Sequence, residues 1–535
     1  MIAPEGGKDG SGGILTPRPP WVWGTVGAVL VLALLIPLIS PLITPPKYDE
    51  FIIVYDAQRL VNGQVPFRDY FSFLPPGTYY LLALAYLPFG GGSLTVARYA
   101  TLGFVLTGWW LLWMGLRRSG WPAAEALPLS LMYPMCLYPF WPVPSHHWVA
   151  LLCCAAFFWA VAGGNWARTT RGHVLVGALV GAALAVLQTE GIYLALASAV
   201  LLALAFKDGT RGPIVRGALS GGLGAASVLA LAYGPLLLLG AGPAMVQDLL
   251  VWPARNYNKP GNDNARLLLE DLPVRFQRLW SESLDLGQPM RAAVASAGAL
   301  MLVLLLLATV ACLACALAVL AHAGRARTLP PPASSAACAV TLAACFLYMK
   351  GRPDLLHMLY PLAAGGGLWL LALGGIPERV NLRKAVVLSA GILVLSGALY
   401  HGRRPLAHAP GLGELVDVDG PVRDYVVNRF LRDPKVLPIG ESVAAFPEGG
   451  EVYLYGPKPA TGFTLLFPLD AGLNDLGDHE RAAQEMKKNR PLWIILRPDM
   501  EKGFLDQASP VGRMLAEQYI RRGGLGAAVL YQRKS

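Results

Sequence analysis

Residues 48–84 read YDEFIIVYDAQRLVNGQVPFRDYFSFLPPGTYYLLAL. This stretch, with its acidic pair, its Arg-Asp pair and its prolines, lies between two long apolar runs at 22–44 and 95–116. A helix needs about 17 or more apolar residues to cross the hydrocarbon core of a bilayer, and both runs are long enough. We therefore expect residues 45–94 to form a loop that joins two membrane spans.

The composition of the whole chain is that of a protein that crosses a bilayer many times. Of its 535 residues, 54% are hydrophobic and only 15% are charged, and the mean hydropathy is +0.46. Soluble globular proteins seldom reach these values. The formal net charge of +10 does not indicate a nucleic-acid partner, because most of the excess lies in short loops beside the apolar runs.

Two further patterns argue against other classes of protein. The chain contains no GxxxxGK[ST] phosphate loop, and Gly221, Gly222 and Gly224 lie in an apolar run, which favours helix packing over nucleotide binding. All seven cysteines lie in apolar segments, so no disulfide framework is indicated. The Cys312-x-x-Cys315 pair falls within a predicted span, where small apolar side chains are the simpler interpretation.

The distribution of positive charge sets the number and the orientation of the spans. We predict eleven transmembrane helices, near 22–44, 95–116, 121–141, 147–164, 173–187, 191–206, 213–240, 291–321, 334–350, 355–375 and 384–400. With the N-terminus in the cytoplasm, the cytoplasmic loops carry basic residues, as the positive-inside rule requires: Arg117, Arg118, Arg168, Arg171, Lys207, Arg211, Arg325, Arg327, Arg379, Arg383 and Lys384. The predicted fold is a polytopic α-helical membrane protein.

The remaining segments complete the domain organisation. Residues 1–20 are rich in Gly and Pro and are expected to be a disordered cytoplasmic tail, before a membrane domain over 21–400 whose second large external loop is 241–290. The apolar run 75–90 is short and bounded by prolines, which indicates an interfacial or re-entrant helix. Residues 401–535 are predicted to be a small extracytoplasmic α/β domain, with strands at 452–455, 492–496 and 527–531 and a helix at 478–488.

Carboxylates and histidines cluster at the span ends that this orientation places outside the cytoplasm. Along the sequence, these clusters alternate strictly with the basic clusters of the cytoplasmic loops. Unrelated loops have no physical reason to agree in this way, so we expect one shared site on the extracytoplasmic face. Its candidate residues are Asp49, Glu50, Arg68, Asp69, His146, His147, Gln188, Glu190, Arg352, Asp354 and His357.

The acidic pair Asp49-Glu50 is the candidate for proton transfer. A carboxylate close to lipid is costly, although a solvated loop carboxylate explains the pair about as well on physical grounds alone. Adjacent side chains diverge on a helix and on a strand, so the two carboxylates cannot point into one pocket in the same way. We prefer Asp49 as the general base, with Glu50 as an alternate base or a partner that faces a metal ion.

The other clusters each have a structural and a functional interpretation. His146 and His147 stand at the start of a span, as interfacial anchors or as ligands for a sugar, a phosphate or a metal ion. Arg352 and Asp354 pair one turn before His357, in a salt-bridged helix cap or in a polar wall of the same pocket. The polar residues of the C-terminal region fit no metal-site template and are interpreted as solvated: Asp470, Asp475, Asp478 and His479.

The order of motifs in the first loop resembles that of GT-C membrane glycosyltransferases. The succession DE, NGQVPFRDYF, PPGTYYLLAL and ARYAT looks most like bacterial relatives of the protein mannosyltransferases and of the aminoarabinose transferases that modify lipid A. Residues 177–197, GALVGAALAVLQTEGIYLALA, are similar to a hairpin of that group, with Gln188 near the position where the group usually has Lys. The resemblance covers residues 20–400, and an external C-terminal domain is common in the group.

The resemblance implies a polyprenyl-phosphate-linked sugar as donor and chemistry on the external face, with the catalytic first-loop aspartate of the group at Asp49. The residues themselves agree with this chemistry. A sugar phosphate already carries a good leaving group, so one carboxylate that activates the acceptor hydroxyl is enough for displacement with inversion. The leaving phosphate needs cations, for which Arg68 and Arg352 are candidates and Arg255 and Lys259 weaker ones.

The sequence therefore predicts a glycosyltransferase that moves a sugar from a polyprenyl phosphate to an acceptor hydroxyl of the bacterial cell envelope, at the outer face of the inner membrane. The acceptor is a lipid, a protein or a glycan. The pattern identifies no particular cofactor and leaves a divalent cation open. Two alternatives are a lipid-linked sugar transporter or flippase and a non-catalytic envelope-assembly protein. A transporter predicts ionisable residues deep in several spans and internal repeats, and neither is clear.

Overall fold

The structure is a computed structural model of the chain. It describes residues 31, 35–41, 48–162, 164–205, 211–256, 277, 288–326, 332–350, 365–373, 380–408, 442–446, 452–453, 458–463, 466, 468–469, 474–506, 508–525 and 528–534. The predicted tail, the predicted span at 355–375 up to residue 364, and most of the second external loop lie outside these residues.

Helices make up most of the described chain up to residue 408. The helices of the first half are α1 (Tyr48–Val61), α2 (Gly77–Tyr86), α3 (Leu94–Arg118), α4 (Ala123–Met132), α5 (His146–Val161), α6 (Thr170–Val186), α7 (Gln188–Ala205) and α8 (Arg211–Leu238). They are followed by α9 (Gly242–Val246), α10 (Trp252–Asn256), α11 (Gln288–Ala326), α12 (Pro332–Lys350) and α13 (Val380–His408). Residues 35–41 and 365–373 are also helical.

Several of these helices have the length and composition of membrane spans. Within the described ranges, four are long and apolar enough to cross a bilayer: Leu94–Arg118, Gln188–Ala205, Gly212–Leu238 and Asn381–His401. Shorter apolar helices lie at other predicted spans: Ala123–Leu137, His146–Val161, Thr170–Val186, Val310–Ala321 and Pro332–Ala344. The helical fold with several apolar helices is as predicted, whereas the number eleven stays a prediction.

Two short predicted segments have the expected form. The run at 75–90 contains α2, which has ten residues and is therefore too short to cross a bilayer core. The predicted spans at 173–187 and 191–206 correspond to α6 and α7, which form a hairpin and meet at Leu187 in an extended conformation. This break places Gln188 and the residues after it at the tip of the hairpin.

Glycines let α6 and α8 pack with their backbones in contact. A Cβ atom on Gly177 would stand 1.9 Å from the carbonyl oxygen of Gly221. A Cβ atom on Gly224 would stand 2.2 Å from the carbonyl oxygen of Val174. Small residues at such positions allow close approach of helices in membranes. Gly221 and Gly224 of α8 therefore serve helix packing, which is the interpretation preferred from the sequence, whereas Gly222 does not face α6.

The basic clusters meet at one end of the helices. Arg118, at the end of α3, donates to the carbonyl oxygen of Trp159 at 3.0 Å, and its guanidinium lies 5.0 Å from the Trp159 ring. Arg383, at the start of α13, lies 3.3 Å from Glu125 of α4 and 4.6 Å from the ring of Trp121. Two loops far apart in sequence thus bring positive charge to the same end of the helices.

Residues after 441 contain a mixed five-stranded sheet. Its strands are β1 (Ser442–Phe446), β2 (Lys458–Pro459), β3 (Trp493–Leu496), β4 (Tyr519–Leu525) and β5 (Ala528–Arg533), in the order β2-β1-β3-β5-β4. β1 is parallel to β2 and β3, whereas β5 is antiparallel to β3 and β4. Three helices accompany the sheet: α14 (Leu476–Asn489), α15 (Glu501–Phe504) and α16 (Pro510–Gln518).

Most of the elements predicted in this region occur where they were expected. β3 and β5 occupy the predicted strands at 492–496 and 527–531, and α14 occupies the predicted helix. The predicted strand at 452–455 is wrong at the two residues of it that are described, because Val452 and Tyr453 are helical. Both side chains are buried, and the Tyr453 hydroxyl accepts a hydrogen bond from the amide of Ala445 at 2.7 Å. This apolar run therefore reflects burial rather than an extended backbone.

The two faces of the sheet have different partners. Alternate residues of a strand point to opposite faces. Ala445 of β1 and Ile495 of β3 share a buried cluster with Tyr55 of α1, whereas Ala444 and Ile494 share one with α14 and α16. The sheet thus lies directly on the helix that carries the acidic pair.

Candidate active site

A fully buried ion pair holds the first turn of α1. Arg98 of α3 donates from Nε to Glu50 Oε2 at 3.0 Å and from Nη2 to Glu50 Oε1 at 2.7 Å. Neither side chain is exposed to solvent. Arg98 also donates from Nη1 to the carbonyl oxygen of Pro41, at the end of the helical segment 35–41. Both carboxylate oxygens of Glu50 are therefore engaged with a cation, which suits Glu50 to a structural role.

Asp49 stands one residue before Glu50 in the same turn. Its backbone is helical, and its side chain lies outside the described part of the structure. Successive positions on a helix are rotated by about 100°, so position 49 is on a different face of α1 from Glu50. This arrangement agrees with the expectation that the two carboxylates differ in role.

The loop after α1 is tied to the end of α8. Arg68 donates to Asp69 at 2.8 and 2.9 Å and to the carbonyl oxygen of Leu239 at 3.2 Å. Asp69 in turn accepts from the amide of Val65 at 2.7 Å, and the hydrogen bonds from Arg68 hold the pKa of Asp69 below its usual value. The Arg68 side chain is still 43% exposed, so the pair orders the loop and leaves part of the guanidinium accessible.

Two further segments converge beside α2. Gly77, the first residue of α2, lies so close to α6 that a Cβ atom on it would stand 2.6 Å from the carbonyl oxygen of Ala185. Val149 of α5 and Val186 of α6 belong to one buried cluster, against which Leu81 of α2 packs. The start of α5, the junction between α6 and α7, and the first loop therefore lie at the same end of the helices.

Four predicted site residues lie on these converging segments. The rings of His146 and His147 are half-buried, with their centroids 4.2 Å apart. Gln188 is half-buried, whereas Glu190 is buried and accepts a hydrogen bond from the hydroxyl of Thr189. The structure thus brings these residues to the end of the bundle that carries the acidic pair.

The second loop and the terminal sheet cover the first loop. The amide of Ser72 donates to Asp248, in the turn between α9 and α10, at 3.3 Å. The ring of Phe71 lies 5.1 Å from that of Trp252, and Trp252 Nε1 donates to Asp478 of α14 at 3.1 Å. These contacts join the two loops and the terminal region into one layer over this end of the helices.

Asp56 and Arg59 form a buried polar pair that is absent from the residues predicted from the sequence. Arg59 is 1% exposed and lies between the rings of Tyr55 and Tyr70, at 4.6 and 4.5 Å. Its Nη1 is 3.7 Å from Asp56, and the Tyr70 hydroxyl donates to the carbonyl oxygen of Asp56 at 3.2 Å. The sequence does contain a signal for this pair, because an acid and a base three positions apart on an otherwise apolar helix indicate an ion pair.

Asp248 is a buried carboxylate that was also absent from the sequence predictions. Burial raises the pKa of Asp248 to about 7 from 3.8, while the hydrogen bond from Ser72 opposes the rise. Between these two values the folded chain holds a proton that the unfolded chain has lost. The free energy of unfolding therefore falls as the pH rises through this window.

Asp248→Asn is expected to remove this pH dependence. The amide keeps an acceptor oxygen for Ser72 and carries no charge, so the variant should be more stable than the wild type by about 4 kcal/mol at about pH 8 and nearly equal to it at about pH 4. Thermal unfolding of both proteins at the two pH values measures this. An unchanged slope of stability with pH in the variant would contradict the assignment to Asp248.

Two of the acidic residues considered in the terminal region cap a helix. Asp475 accepts from the amide of Asp478, and Asp478 accepts from the amide of Asp475, which is a capping box at the start of α14. His479 is fully buried and shares a hydrogen bond of 2.8 Å with Ser509. The described parts of the chain contain no group of three His, Cys, Asp or Glu residues that could hold a metal ion.

Three predicted site residues cannot be placed. Arg352, Asp354 and His357 lie outside the described residues, as does Lys259. Arg255 is within them, at the end of α10, where it lies 4.0 Å from Asp475 and is exposed. The contribution of Arg352, Asp354 and His357 to the site stays a prediction.

Comparison with known proteins supports a fold and no closer relationship. No protein-family model and no curated protein matches the chain. ArnT from Cupriavidus metallidurans bound to undecaprenyl phosphate has a TM-score of 0.51 and 14% identity, over 95% of this chain and 98% of ArnT. ArnT in the apo state has a TM-score of 0.51 and 15% identity, over 96% and 98%. The apo oligosaccharyltransferase of Archaeoglobus fulgidus has 12% identity over 96% and 75%, with a TM-score of 0.46.

The chain is a membrane protein with the GT-C fold. ArnT is a GT-C glycosyltransferase, and its structure matches almost the full length of both chains. The resemblance inferred from the motifs of the first loop is therefore confirmed at the level of the fold. One fold can host several activities, so the function has to be argued from the site.

Proposed function

We propose that the protein is a glycosyltransferase that moves a sugar from a polyprenyl-phosphate carrier to an acceptor hydroxyl of the cell envelope. The main support is the position of Asp49 at the start of α1, whose first turn is fixed by the buried pair of Glu50 and Arg98. His146 and His147 lie at the same end of the helices. The GT-C neighbour ArnT binds undecaprenyl phosphate, which supports a lipid-phosphate carrier.

The proposed reaction needs one base. Asp49 takes the proton of the acceptor hydroxyl as its oxygen attacks the anomeric carbon of the donor. The bond from that carbon to the phosphate oxygen breaks, the configuration inverts, and the polyprenyl phosphate leaves with the electron pair. No acid is needed, because the phosphate is a good leaving group. The reaction needs the substrate to be positioned with the attacking oxygen and the leaving oxygen in line.

The leaving phosphate needs positive charge and hydrogen-bond donors. Arg68 is a candidate because its guanidinium is partly exposed beside the first loop. Arg352 is a second candidate, and His146 and His147 can donate to phosphate or sugar oxygens from the start of α5. A charge-assisted hydrogen bond is about twice as strong as a neutral one, so one arginine at the phosphate contributes substantially.

We assign this site to the extracytoplasmic face of the membrane. The first loop and the terminal sheet are in contact, so they share one side. Arg118 and Arg383 lie together at a different end of the helices, close to Trp159 and Trp121. The positive-inside rule assigns such basic ends to the cytoplasm, which leaves the outer face for the first loop.

The test is transfer by the purified full-length protein in lipid vesicles. Undecaprenyl phosphates that carry a panel of radiolabelled hexoses and pentoses are the donors, and an envelope extract supplies the acceptor. We expect one labelled sugar to move to the extract, with release of undecaprenyl phosphate. If every labelled sugar stays on its carrier, the transferase proposal fails, and movement of an intact carrier across the bilayer would instead support a flippase.

A further inference from the structure

Arg98 holds the chain on both sides of Asp49. Its Nη1 donates to the carbonyl oxygen of Pro41, eight residues before Asp49, at 2.5 Å. Its Nε and Nη2 hold the carboxylate of Glu50, one residue after Asp49, at 3.0 and 2.7 Å. One side chain therefore connects the end of the first apolar helix, the start of α1 and the body of α3.

Stability alone does not account for this arrangement. Taking two charges out of water is unfavourable, and replacing a buried ion pair by packed apolar side chains is often neutral or stabilising. Arg98 and Glu50 are both inaccessible to solvent. What an ion pair adds over apolar packing is direction, because the planar guanidinium binds both carboxylate oxygens in one orientation. The pair therefore specifies where the first turn of α1 lies.

We infer that Arg98 and Glu50 are positioning residues that fix the place of Asp49 relative to the substrate. This inference rests on the proposed transferase function, in which Asp49 is the base. A base acts only within hydrogen-bond reach of the proton it takes, and a displacement of about 1 Å can lower turnover by about 100-fold. Glu50 acts through the backbone of α1 and touches no substrate.

The first test replaces the pair by apolar side chains of similar size. The variant Glu50→Leu/Arg98→Met should fold with a thermal midpoint close to that of the wild type, because both charges are removed together. Its kcat for sugar transfer should fall about 100-fold, while the KM for the lipid-linked donor changes less than about threefold. Arg98→Lys keeps the charge but not the bidentate geometry, so its kcat should lie between those of the wild type and of the double variant.

The matched control is another ion pair that links two helices. Glu125 and Arg383 are 3.3 Å apart and lie with the basic clusters. The variant Glu125→Leu/Arg383→Met should keep the wild-type kcat and KM. A positioning role for Arg98 is overturned if Glu50→Leu/Arg98→Met is stable and turns over at the wild-type rate, or if its kcat and the control's kcat fall equally.

A second measurement does not depend on activity. A membrane-impermeant maleimide should modify the thiol introduced by Asp49→Cys at a rate that changes about fivefold or more when Glu50→Leu/Arg98→Met is added, because thiol reactivity follows exposure and nearby charge. The protein with Asp49 intact gives the background from its seven native cysteines. Equal rates would overturn the positioning role. A changed labelling rate, combined with a wild-type protein that transfers no sugar, would refute the transferase proposal and leave the positioning role intact.

Discussion

Asp49→Asn is expected to lower the rate of sugar transfer by a factor of about 10³, with donor binding and folded yield unchanged. Asn has nearly the size of Asp but cannot take a proton from the acceptor hydroxyl. Glu50, the neighbouring carboxylate, cannot replace Asp49, because Arg98 holds both of its oxygens in a buried pair. The acceptor hydroxyl would then have to lose its proton to water, whereas the proposed reaction needs a base in contact with that hydroxyl.

The measurement is the initial rate of transfer from the labelled donor that the wild type accepts, together with the thermal midpoint. Asp499→Asn is a suitable control, because this exposed carboxylate pairs with Arg497 in the terminal region, 2.8 Å away. The control should transfer at the wild-type rate. Full activity of Asp49→Asn would remove Asp49 as the base and with it the mechanism proposed above.

Gly177→Ala is expected to have the largest effect on folding. Its Cβ atom would stand 1.9 Å from the carbonyl oxygen of Gly221 and 2.5 Å from the carbonyl carbon. Both are backbone atoms, so no side-chain rotation relieves the clash, and α6 and α8 have to move apart. Overpacking in a tight core costs about 1–3 kcal/mol, and a clash between two backbones should reach or exceed the upper value.

Gly222→Ala on α8 is the matched control, since a Cβ atom at this position would have no atom within 4 Å apart from its chain neighbours and the backbone of its own helix. An Ala there should leave stability unchanged or raise it by up to about 1 kcal/mol, because Ala is more favourable than Gly in the interior of a helix. The yield of monodisperse protein in detergent and the thermal midpoint compare the two variants. Equal stability of Gly177→Ala and Gly222→Ala would show that α6 and α8 do not pack as described.

Hydropathy and charge are enough to predict where many of the helices lie. A helix that faces lipid satisfies its backbone hydrogen bonds internally. Its side chains must be apolar along its length whatever its protein partners are, because lipid offers no hydrogen bonds to polar ones. For this reason α3, α7 and α8 lie at predicted spans. The motifs of the first loop also predicted the GT-C fold correctly.

The partners of individual polar side chains could not be predicted in the same way. Arg98 meets Glu50 from 48 residues further along the chain, and no local spacing indicates this pairing. Sequence patterns report side chains three or four positions apart on one helix. The contact of Ser72 with Asp248, 176 residues away, is a second case. Both depend on how separate elements assemble.

The apolar run at 452–455 shows a different limit. Its described residues are buried, as expected, but Val452 and Tyr453 are helical. A short apolar run carries no period that separates a strand from a buried helical turn. The equally short apolar runs at 492–496 and 527–531 carry the same ambiguity, but they form the strands β3 and β5, which pair with each other in the sheet.

The contact between α1 and the terminal sheet has a consequence for biogenesis. The core around Tyr55 includes Trp493 and Leu530, which the ribosome makes more than 400 residues after α1. Until that late part of the nascent chain has been synthesised, the apolar surface of α1 lacks its final neighbours. The protein should therefore complete the packing of α1 only at the end of synthesis, so truncated translation products are open to proteolysis.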